Sequence, residues 1–155
     1  MALEIERKFR VTSESWRPLV TRTRKIRQAY LSKGPQLSLR VRIDGAESAI
    51  LTIKAAVTDV VRHEFEYFVP VFDAEALFRW RDGAVITKTR HIVSIDSLVW
   101  EIDVFEGENG SLVIAEVELD SAEQSIRLPS WLGKEVTGDQ KFYDACQSAY
   151  PYMQW

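Results

Sequence analysis

The residues of this chain that could carry chemistry are charged side chains spaced two positions apart. In residues 3–9, with the sequence LEIERKF, acidic and basic residues alternate with apolar ones. Successive side chains of a β-strand point to opposite faces, so Glu4, Glu6 and Lys8 would share one face of a strand. The same spacing recurs in Arg40 and Arg42, in Glu64 and Glu66, in Lys88 and Arg90, and in Glu116 and Glu118. These pairs predict strands that each present a charged face.

The charges predicted on these faces are of both signs. The acids are Glu4, Glu6, Glu64, Glu66, Glu101, Asp103, Glu116 and Glu118, and the bases are Lys8, Arg40, Arg42, Lys54, Arg62, Lys88 and Arg90. Partly desolvated charges are unfavourable unless they are paired or bind a ligand, and clustered carboxylates repel one another unless a cation lies between them. Oxygen ligands suit Mg²⁺ or Mn²⁺, which bridge to phosphates, whereas arginine and lysine bind phosphate oxygens directly. The array therefore predicts a short linear polyphosphate held together with divalent metal ions.

Strands separated by turn signals must position these side chains. They are predicted at 2–11, 24–31, 37–44, 47–55, 61–70, 84–92, 97–106 and 112–119. Asp44-Gly45 is a good hairpin turn, and the short connections imply antiparallel pairing of neighbouring strands. Helices are predicted at 13–22, at 73–82 with Asp73 as the N-cap, and at 139–149 from Asp139, with a short one allowed near 121–126.

The two faces of these strands differ in polarity, and this difference predicts how the sheet closes. One face carries apolar residues such as Val41, Phe65 and Val117, while the other carries the charges. An uncovered apolar face would expose a large sticky patch, so the helices are expected to cover it. Eight strands have enough curvature to close. The predicted fold is α+β and dominated by β: a closed eight-stranded antiparallel barrel, or tunnel, with a polar lumen and helices packed outside.

Length and composition predict one globular domain over residues 1–155. The net charge of −3 gives no sign of a general nucleic-acid binder. No apolar run approaches the roughly 18 residues of a membrane span, so no membrane partner is expected, and the N-terminus has no signal-peptide core. Cys146, expected as a buried thiol in the last helix, fits a reducing compartment, and the cytoplasm is the expected location. An apolar exterior is also compatible with a homodimer.

An ordered series of motifs runs from the first strand to the C-terminal segment. It consists of Glu4-Ile5-Glu6-Arg7-Lys8, Gln28-Ala29-Tyr30-Leu31, Leu39-Arg40-Val41-Arg42, Thr52-Ile53-Lys54, residues 62–66, Lys88-Thr89-Arg90, residues 101–105, Glu116-Val117-Glu118 and residues 136–143. The first motif reads as the Glu-x-Glu-x-Lys signature of the CYTH superfamily, the triphosphate tunnel metalloenzymes. That signature is weak alone, but the ordered set covers nearly the whole chain. The sequence thus resembles the short bacterial members of this superfamily.

The resemblance implies a tunnel enzyme that acts on a triphosphate-containing small molecule with Mg²⁺ or Mn²⁺ as cofactor. By this resemblance Glu4, Glu6 and Glu118 are ligands of one metal ion, and Asp103 and Glu116 hold a second metal ion and position the attacking water. The triphosphate clamp implied by it consists of Lys8, Arg40, Arg42, Lys54, Lys88 and Arg90, with Lys141 at a tunnel mouth.

The resemblance also implies a proton-transfer role near the first strand. Tyr30 resembles the aromatic partner of Lys8 and would orient or activate the nucleophile. If neutral Lys8 accepts a proton, activity should rise toward alkaline pH. Glu64 and Glu66 are expected as structural pairs of the lumen, with Arg40 and Arg42 as their partners.

Some positions depart from the family pattern or allow a second reading. Lys141 and Asp144 stand where relatives of this length often carry Arg and Asn. A weaker mouth contact is the expected consequence, with a less sharply defined substrate. Arg62, Glu66 and Glu101 fit either the lumen or solvent-exposed strand ends.

Four functions remain open from the sequence. Hydrolysis of inorganic triphosphate to pyrophosphate and phosphate is favoured, because a short chain leaves little for a base-recognition element. An adenylyl cyclase of the same family would need an adenine pocket, and a thiamine triphosphatase or other nucleoside triphosphatase would need its own base site. A non-catalytic module that binds polyphosphate would use its carboxylates only to hold metal.

Overall fold

The fold is a closed antiparallel β-barrel, described by a computed structural model over residues 2–34 and 36–155. Its strands are β1 (Ala2–Val11), β2 (Val20–Lys33), β3 (Leu37–Asp44), β4 (Ser48–Ala56), β5 (Val61–Val69), β6 (Ile86–Ile95), β7 (Leu98–Phe105), β8 (Val113–Glu118) and β9 (Leu132–Glu135). Hydrogen bonds join them in the order β5-β4-β3-β2-β6-β7-β8-β1-β9, and β1 closes the ring by also pairing with β5. The predicted eight-stranded barrel is confirmed, with β9 as an addition that the sequence did not predict.

β1 closes the barrel because its two halves have different neighbours. Residues 2–5 pair with β5, and residues 6–10 pair with β8. In this register Glu6 lies opposite Glu118, and Lys8 lies opposite Glu116. Directly opposed side chains of antiparallel strands are neighbours. The charged residues of the first strand therefore meet those of the eighth inside the barrel.

The hydrophobic core lies outside the barrel wall, between the strands and the segments that cover them. The largest cluster packs Trp16 and Trp131 against Phe9 and Trp100 of the wall, with the Trp100 and Trp131 ring centroids 5.6 Å apart. Both covering tryptophans lie outside regular helices and strands. The apolar exterior is thus covered as expected, but loops cover it more than helices do.

One helix, α1 (Val71–Leu77), covers a second part of the exterior. Its residue Ala74, together with Phe78 of the following 3₁₀ turn, packs on Val41 and Ile43 of β3. Nearer the start of β3, Leu37 is 54% exposed among the residues that the structure describes. The expectation that helices cover the whole apolar face is therefore wrong at this end.

The predicted N-terminal helix 13–22 is wrong. The structure has only a 3₁₀ turn at Arg17–Leu19, after which β2 begins at Val20. β-Branched residues at 20, 21 and 23 favour the extended backbone, and residues 20–28 of β2 pair with β6. Tertiary pairing therefore extends this strand by four residues before its predicted start at 24.

The other helices are shorter than predicted. α1 begins two residues before Asp73, which lies in the first turn rather than at the N-cap. The segment predicted as 139–149 is a 3₁₀ turn at Gln140–Phe142, capped by Asp139, followed by α2 (Asp144–Ala149). Residues 121–126 form turns and irregular backbone.

The side chain of Cys146 lies outside the described part of the structure. Among the described residues, no helix is long and apolar enough to cross a membrane.

Candidate active site

The barrel encloses a polar cavity of about 380 Å³. Strand alternation turns one residue in two inward, and each of the strands β1 to β8 contributes charged side chains to the wall. Among the sequence-predicted residues, the wall contains Glu4, Glu6, Lys8, Tyr30, Arg40, Arg42, Lys54, Arg62, Glu64, Glu66, Lys88, Arg90, Glu101, Glu116 and Glu118. Asp103 and Lys141 lie elsewhere, as described below. The lumen thus brings together acids and bases from distant parts of the chain.

Two arginines of β3 form a cationic wall. The buried Arg40 contacts Thr52 at 3.5 Å through Nη2, and Arg42 Nε donates to the Gln28 amide oxygen at 2.9 Å. Burial and the nearby Arg40 and Arg90 lower the pKa of Arg42 to about 10. Within residues 2–34 and 36–155, neither Arg40 nor Arg42 has a carboxylate at ion-pair distance. These two guanidinium groups, which form no ion pair there, suit an anion.

β1 and β8 form an acidic wall, where carboxylates outnumber the cations that could pair with them. Burial and the neighbouring Glu116 raise the pKa of Glu6 to about 7. Burial and the carboxylates of Glu4 and Glu64 raise the pKa of Glu118. Each carboxyl resists ionisation because it is desolvated and because negative charge is crowded there. This side of the cavity suits a cation.

Glu4 and Glu64 share one lysine between them. Lys54 Nζ lies 2.9 and 3.0 Å from the two carboxylate oxygens of Glu4 and 3.5 Å from Glu64. The sequence allowed Arg40 and Arg42 to pair with Glu64 and Glu66 in addition to binding phosphate. The structure instead pairs Glu64 with Lys54 and leaves Glu66 exposed at the rim. This change of partner leaves the arginines available to an anion.

Lys8 is a buried cation in this structure. Its Nζ lies 3.2 Å from Glu116, and it donates to the carbonyl oxygen of Phe142 at 3.4 Å. Burial alone would lower the pKa of Lys8, but Glu116 and Glu6 outweigh it and raise the pKa. These carboxylates favour the charged form of Lys8, and a neutral Lys8 that accepts a proton stays a prediction.

The aromatic partner of Lys8 is Tyr143 rather than Tyr30. Lys8 Nζ lies 4.9 Å from the centroid of the Tyr143 ring, and the guanidinium of Arg62 lies 4.5 Å from the same centroid. Such contacts are attractive cation–π interactions. Tyr30 is buried in the wall across from Arg40, and burial raises its pKa. A neutral hydroxyl is therefore expected at Tyr30.

Asp103 is fully buried beneath Arg90 and Lys88 and pairs with both cations. Arg90 binds it in a bidentate pair at 2.7 and 2.8 Å, and Lys88 Nζ lies 2.7 Å from its Oδ2. Burial would raise the pKa of Asp103, but Arg90 and Lys88 lower it. Its contacts fit an anchor of Arg90 and Lys88 better than the predicted metal ligand. The ligand role stays a prediction.

Lys141 is exposed, and its Nζ lies 5.6 Å from the centroid of the Trp155 ring. Its neighbours Gln140, Tyr143 and Asp144 line the cavity in its place. The sequence predicts a closing segment here, but it does not predict which of its side chains face the cavity. The break between the 3₁₀ turn and α2 turns Tyr143 and Asp144 inward.

Sequence reasoning gave no role in the site to Gln28 or Tyr143. Gln28 bridges Arg42 and Asp144, and the Tyr143 ring contacts the cations of Lys8 and Arg62. Arg24 belongs to a basic run at 22–27 that fits a solvated face or the tunnel rim, and it pairs with Asp44 at 2.7 Å. Gln28 lies two positions from Tyr30 on the same face of β2, which was a usable signal. Tyr143 lies outside the strands, and its signal was its place in the closing motif at residues 136–143.

The donor set fits a divalent metal, although its side chains are not gathered around a point. In the described part of the chain, no three acidic, histidine or cysteine side chains stand close enough to hold an ion as they are placed. The pKa values of Glu6 and Glu118 are nevertheless raised, and a bound cation would offset the repulsion between these carboxylates and their acidic neighbours.

A closed barrel with facing cationic and acidic walls defines a tunnel for a polyanion bound together with a cation. The model of the CYTH domain matches residues 2–143, and the chain belongs to the CYTH family. An inorganic triphosphatase of Acetivibrio thermocellus is 35% identical over 153 residues, covering 98% of this chain and 97% of the relative. An inorganic triphosphatase of Nitrosomonas europaea is 34% identical over 143 residues, covering 90% and 92%. The solved structure of the inorganic triphosphatase NE1496 shares 31% identity and a TM-score of 0.67, over 96% of this chain and 95% of that one.

Proposed function

We propose that this chain is a divalent-metal-dependent triphosphatase that hydrolyses inorganic triphosphate to pyrophosphate and phosphate. The observation that carries the proposal is the separation of charge inside one cavity. Arg40 and Arg42 have no carboxylate partner among the described residues, while Glu6 and Glu118 are crowded carboxyls. The full-length similarity to two inorganic triphosphatases supports this substrate.

The cationic wall binds and orients the phosphates. Arginine presents a planar fork that matches two phosphate oxygens, and lysine acts as a point charge. Arg40 and Arg42 lie on β3 and Lys54 lies on the neighbouring strand β4, so these three cations come from adjacent strands. Positive charge fixed here stabilises the leaving pyrophosphate as the bond to the terminal phosphorus breaks.

Glu6 and Glu118, with Glu4, would hold the metal ion, which we expect to be Mg²⁺ or Mn²⁺. When bound, it supplies charge neutralisation at the phosphate oxygens. The chain's own task is to keep these carboxylates together, and the Glu6–Glu118 register of β1 and β8 does so.

Glu116 is the residue we expect to orient the attacking water. Burial would raise its pKa, but Lys8 and Arg90 lower it well below the usual range, so the carboxylate stays ionised. A weak base of this kind accepts a hydrogen bond from water and aims its oxygen at the terminal phosphorus. Phosphoryl transfer needs little proton abstraction before the transition state, so alignment suffices.

The test is phosphate release from tripolyphosphate, ATP and thiamine triphosphate, each with Mg²⁺, Mn²⁺ or EDTA, with cyclic AMP measured alongside. Release that is fastest from tripolyphosphate and abolished by EDTA is the expected result. Cyclic AMP from ATP with slow release from tripolyphosphate would instead identify a cyclase. Binding of tripolyphosphate without turnover under any metal condition would identify a binding module.

A further inference from the structure

Asp144 places a carboxylate on the cationic side of the cavity. It is the first residue of α2, is 8% exposed, and lines the lumen. Its Oδ2 accepts a hydrogen bond from Lys88 Nζ at 2.7 Å and another from Gln28 Nε2. Gln28 in turn accepts from Arg42 Nε at 2.9 Å. This carboxylate is therefore connected to two of the cations to which phosphate binding is assigned above.

The charge of Asp144 also acts on cations that it does not touch. The pKa of Lys8 is raised against the effect of burial chiefly by Glu116 and Glu6, and Asp144 adds to the rise. Burial would raise the pKa of Asp144 itself, but Lys88 and Lys8 hold it well below its usual range. Asp144 is therefore ionised at any working pH.

Asp144 differs from the other acids of the lumen in where it comes from. Glu116 and Glu118 are fixed by the sheet, whereas Asp144 belongs to the segment that follows the barrel. Three consecutive residues of this segment meet the cations: the Phe142 carbonyl and the Tyr143 ring contact Lys8, and Asp144 binds Lys88. The C-terminal segment thus packs against the lumen by contacting Lys8 and Lys88, the same cations that a phosphate would bind.

We propose that Asp144 is a built-in counter-anion whose carboxylate competes with substrate phosphate for Lys88 and the adjacent cations, and so lowers the affinity of the cavity for triphosphate. The inference rests on the proposed function, because it concerns the same cations. A fixed negative charge beside an anion site lowers its positive potential, and the low local dielectric makes this effect large. Lys88 keeps Asp103 as a second partner, so it stays anchored without Asp144.

The experiment replaces the charge while keeping the polar contacts. Asp144→Asn retains an oxygen that accepts from Lys88 or Gln28, and Asp144→Ser is a second neutral variant in case the first folds poorly. Asp59→Asn is the matched control, since Asp59 is exposed at the rim of the same cavity. The readouts are calorimetric Kd for tripolyphosphate in EDTA, KM with Mg²⁺, and Tm with and without tripolyphosphate.

Both neutral variants at position 144 are expected to bind tripolyphosphate about fivefold or more tightly than the parent protein. Without ligand their Tm should be lower than that of the parent, and tripolyphosphate should raise their Tm by more than it raises the parent's. The control should change Kd by less than about twofold, because solvent screens an exposed charge. Unchanged or weaker binding by both variants, with the parent binding normally, would overturn the inference alone and make Asp144 a positioning residue. A parent protein that neither binds nor hydrolyses tripolyphosphate would overturn the proposed function as well.

Discussion

The Lys8 ammonium lies 3.2 Å from the Glu116 carboxylate inside the barrel, and the two charges hold each other ionised. The pKa of Lys8 is raised and that of Glu116 is lowered well below its usual range, in both cases against the effect of burial. Neither group is therefore poised to exchange a proton near neutral pH. The pair is better suited to orienting a water and a phosphate than to general acid–base catalysis.

A charged Lys8 predicts that arginine can partly replace it. Lys8→Arg should keep at least about tenfold more kcat/KM than Lys8→Gln, because one retains the cation and the other removes it. Steady-state phosphate release from tripolyphosphate measures this difference. Equal loss in both variants, together with a parent rate that climbs from neutral to alkaline pH, would restore Lys8 as a proton acceptor.

Glu116→Gln separates binding from turnover. The amide keeps the size of the side chain but accepts the hydrogen bond of a water less strongly, so kcat should fall by about 100-fold or more. Calorimetric binding of tripolyphosphate should be retained, since the substitution removes negative charge from the lumen. Normal turnover in this variant would remove Glu116 from the catalytic step.

Arg42→Gln should weaken substrate binding with little cost to the fold. Burial and neighbouring arginines lower the pKa of Arg42 to about 10, so its charge is unfavourable until an anion binds. We expect KM for tripolyphosphate to rise about tenfold or more, with unfolding free energy unchanged or slightly higher. Arg7→Gln is the control, because Arg7 pairs with Glu135 on the exterior at 2.7 Å. A similar KM increase in both variants would mean that only net charge matters.

Glu6 predicts a pH dependence of stability in EDTA. Its pKa is about 7 in the folded protein against 4.5 ordinarily, so the folded state holds the proton more tightly. The stability that Glu6 contributes through this proton is fully present below about pH 4.5 and is lost as the pH rises through about 7. Glu6→Gln should therefore be more stable than the parent by about 1–3 kcal/mol at pH 8, and by much less at pH 5. Urea unfolding at the two pH values tests this, and a gain that is the same at both would contradict it.

Asp103→Asn distinguishes an anchor from a metal ligand. Breaking a fully buried ion pair leaves Arg90 and Lys88 under-compensated, so unfolding free energy should fall by about 3–5 kcal/mol. If Asp103 is an anchor only, the concentration of Mg²⁺ that gives half-maximal activity in the surviving folded enzyme should stay within about threefold. A large rise in that concentration without loss of stability would instead support the predicted ligand role.

Alternation of charged and apolar residues was sufficient to predict the strands of the barrel and most residues that face the lumen. The reason is local: a pleated strand alternates its side chains whatever it pairs with, so Arg40 and Arg42 had to share a face. The same reasoning gave the polar interior, because an apolar face that is covered on the outside leaves the charged face within.

The partners of those charges were decided by the tertiary structure. Glu64 pairs with Lys54, and Tyr143 rather than Tyr30 meets Lys8, because strand register and the docking of the C-terminal segment set these distances. Asp103 shows the same limit, since alternation placed it with the lumen acids while packing buried it beneath Arg90 and Lys88. Pairing depends on contacts between residues far apart in the chain. The local pattern of a strand therefore fixes which way a charge points, and only the closed barrel fixes what it meets.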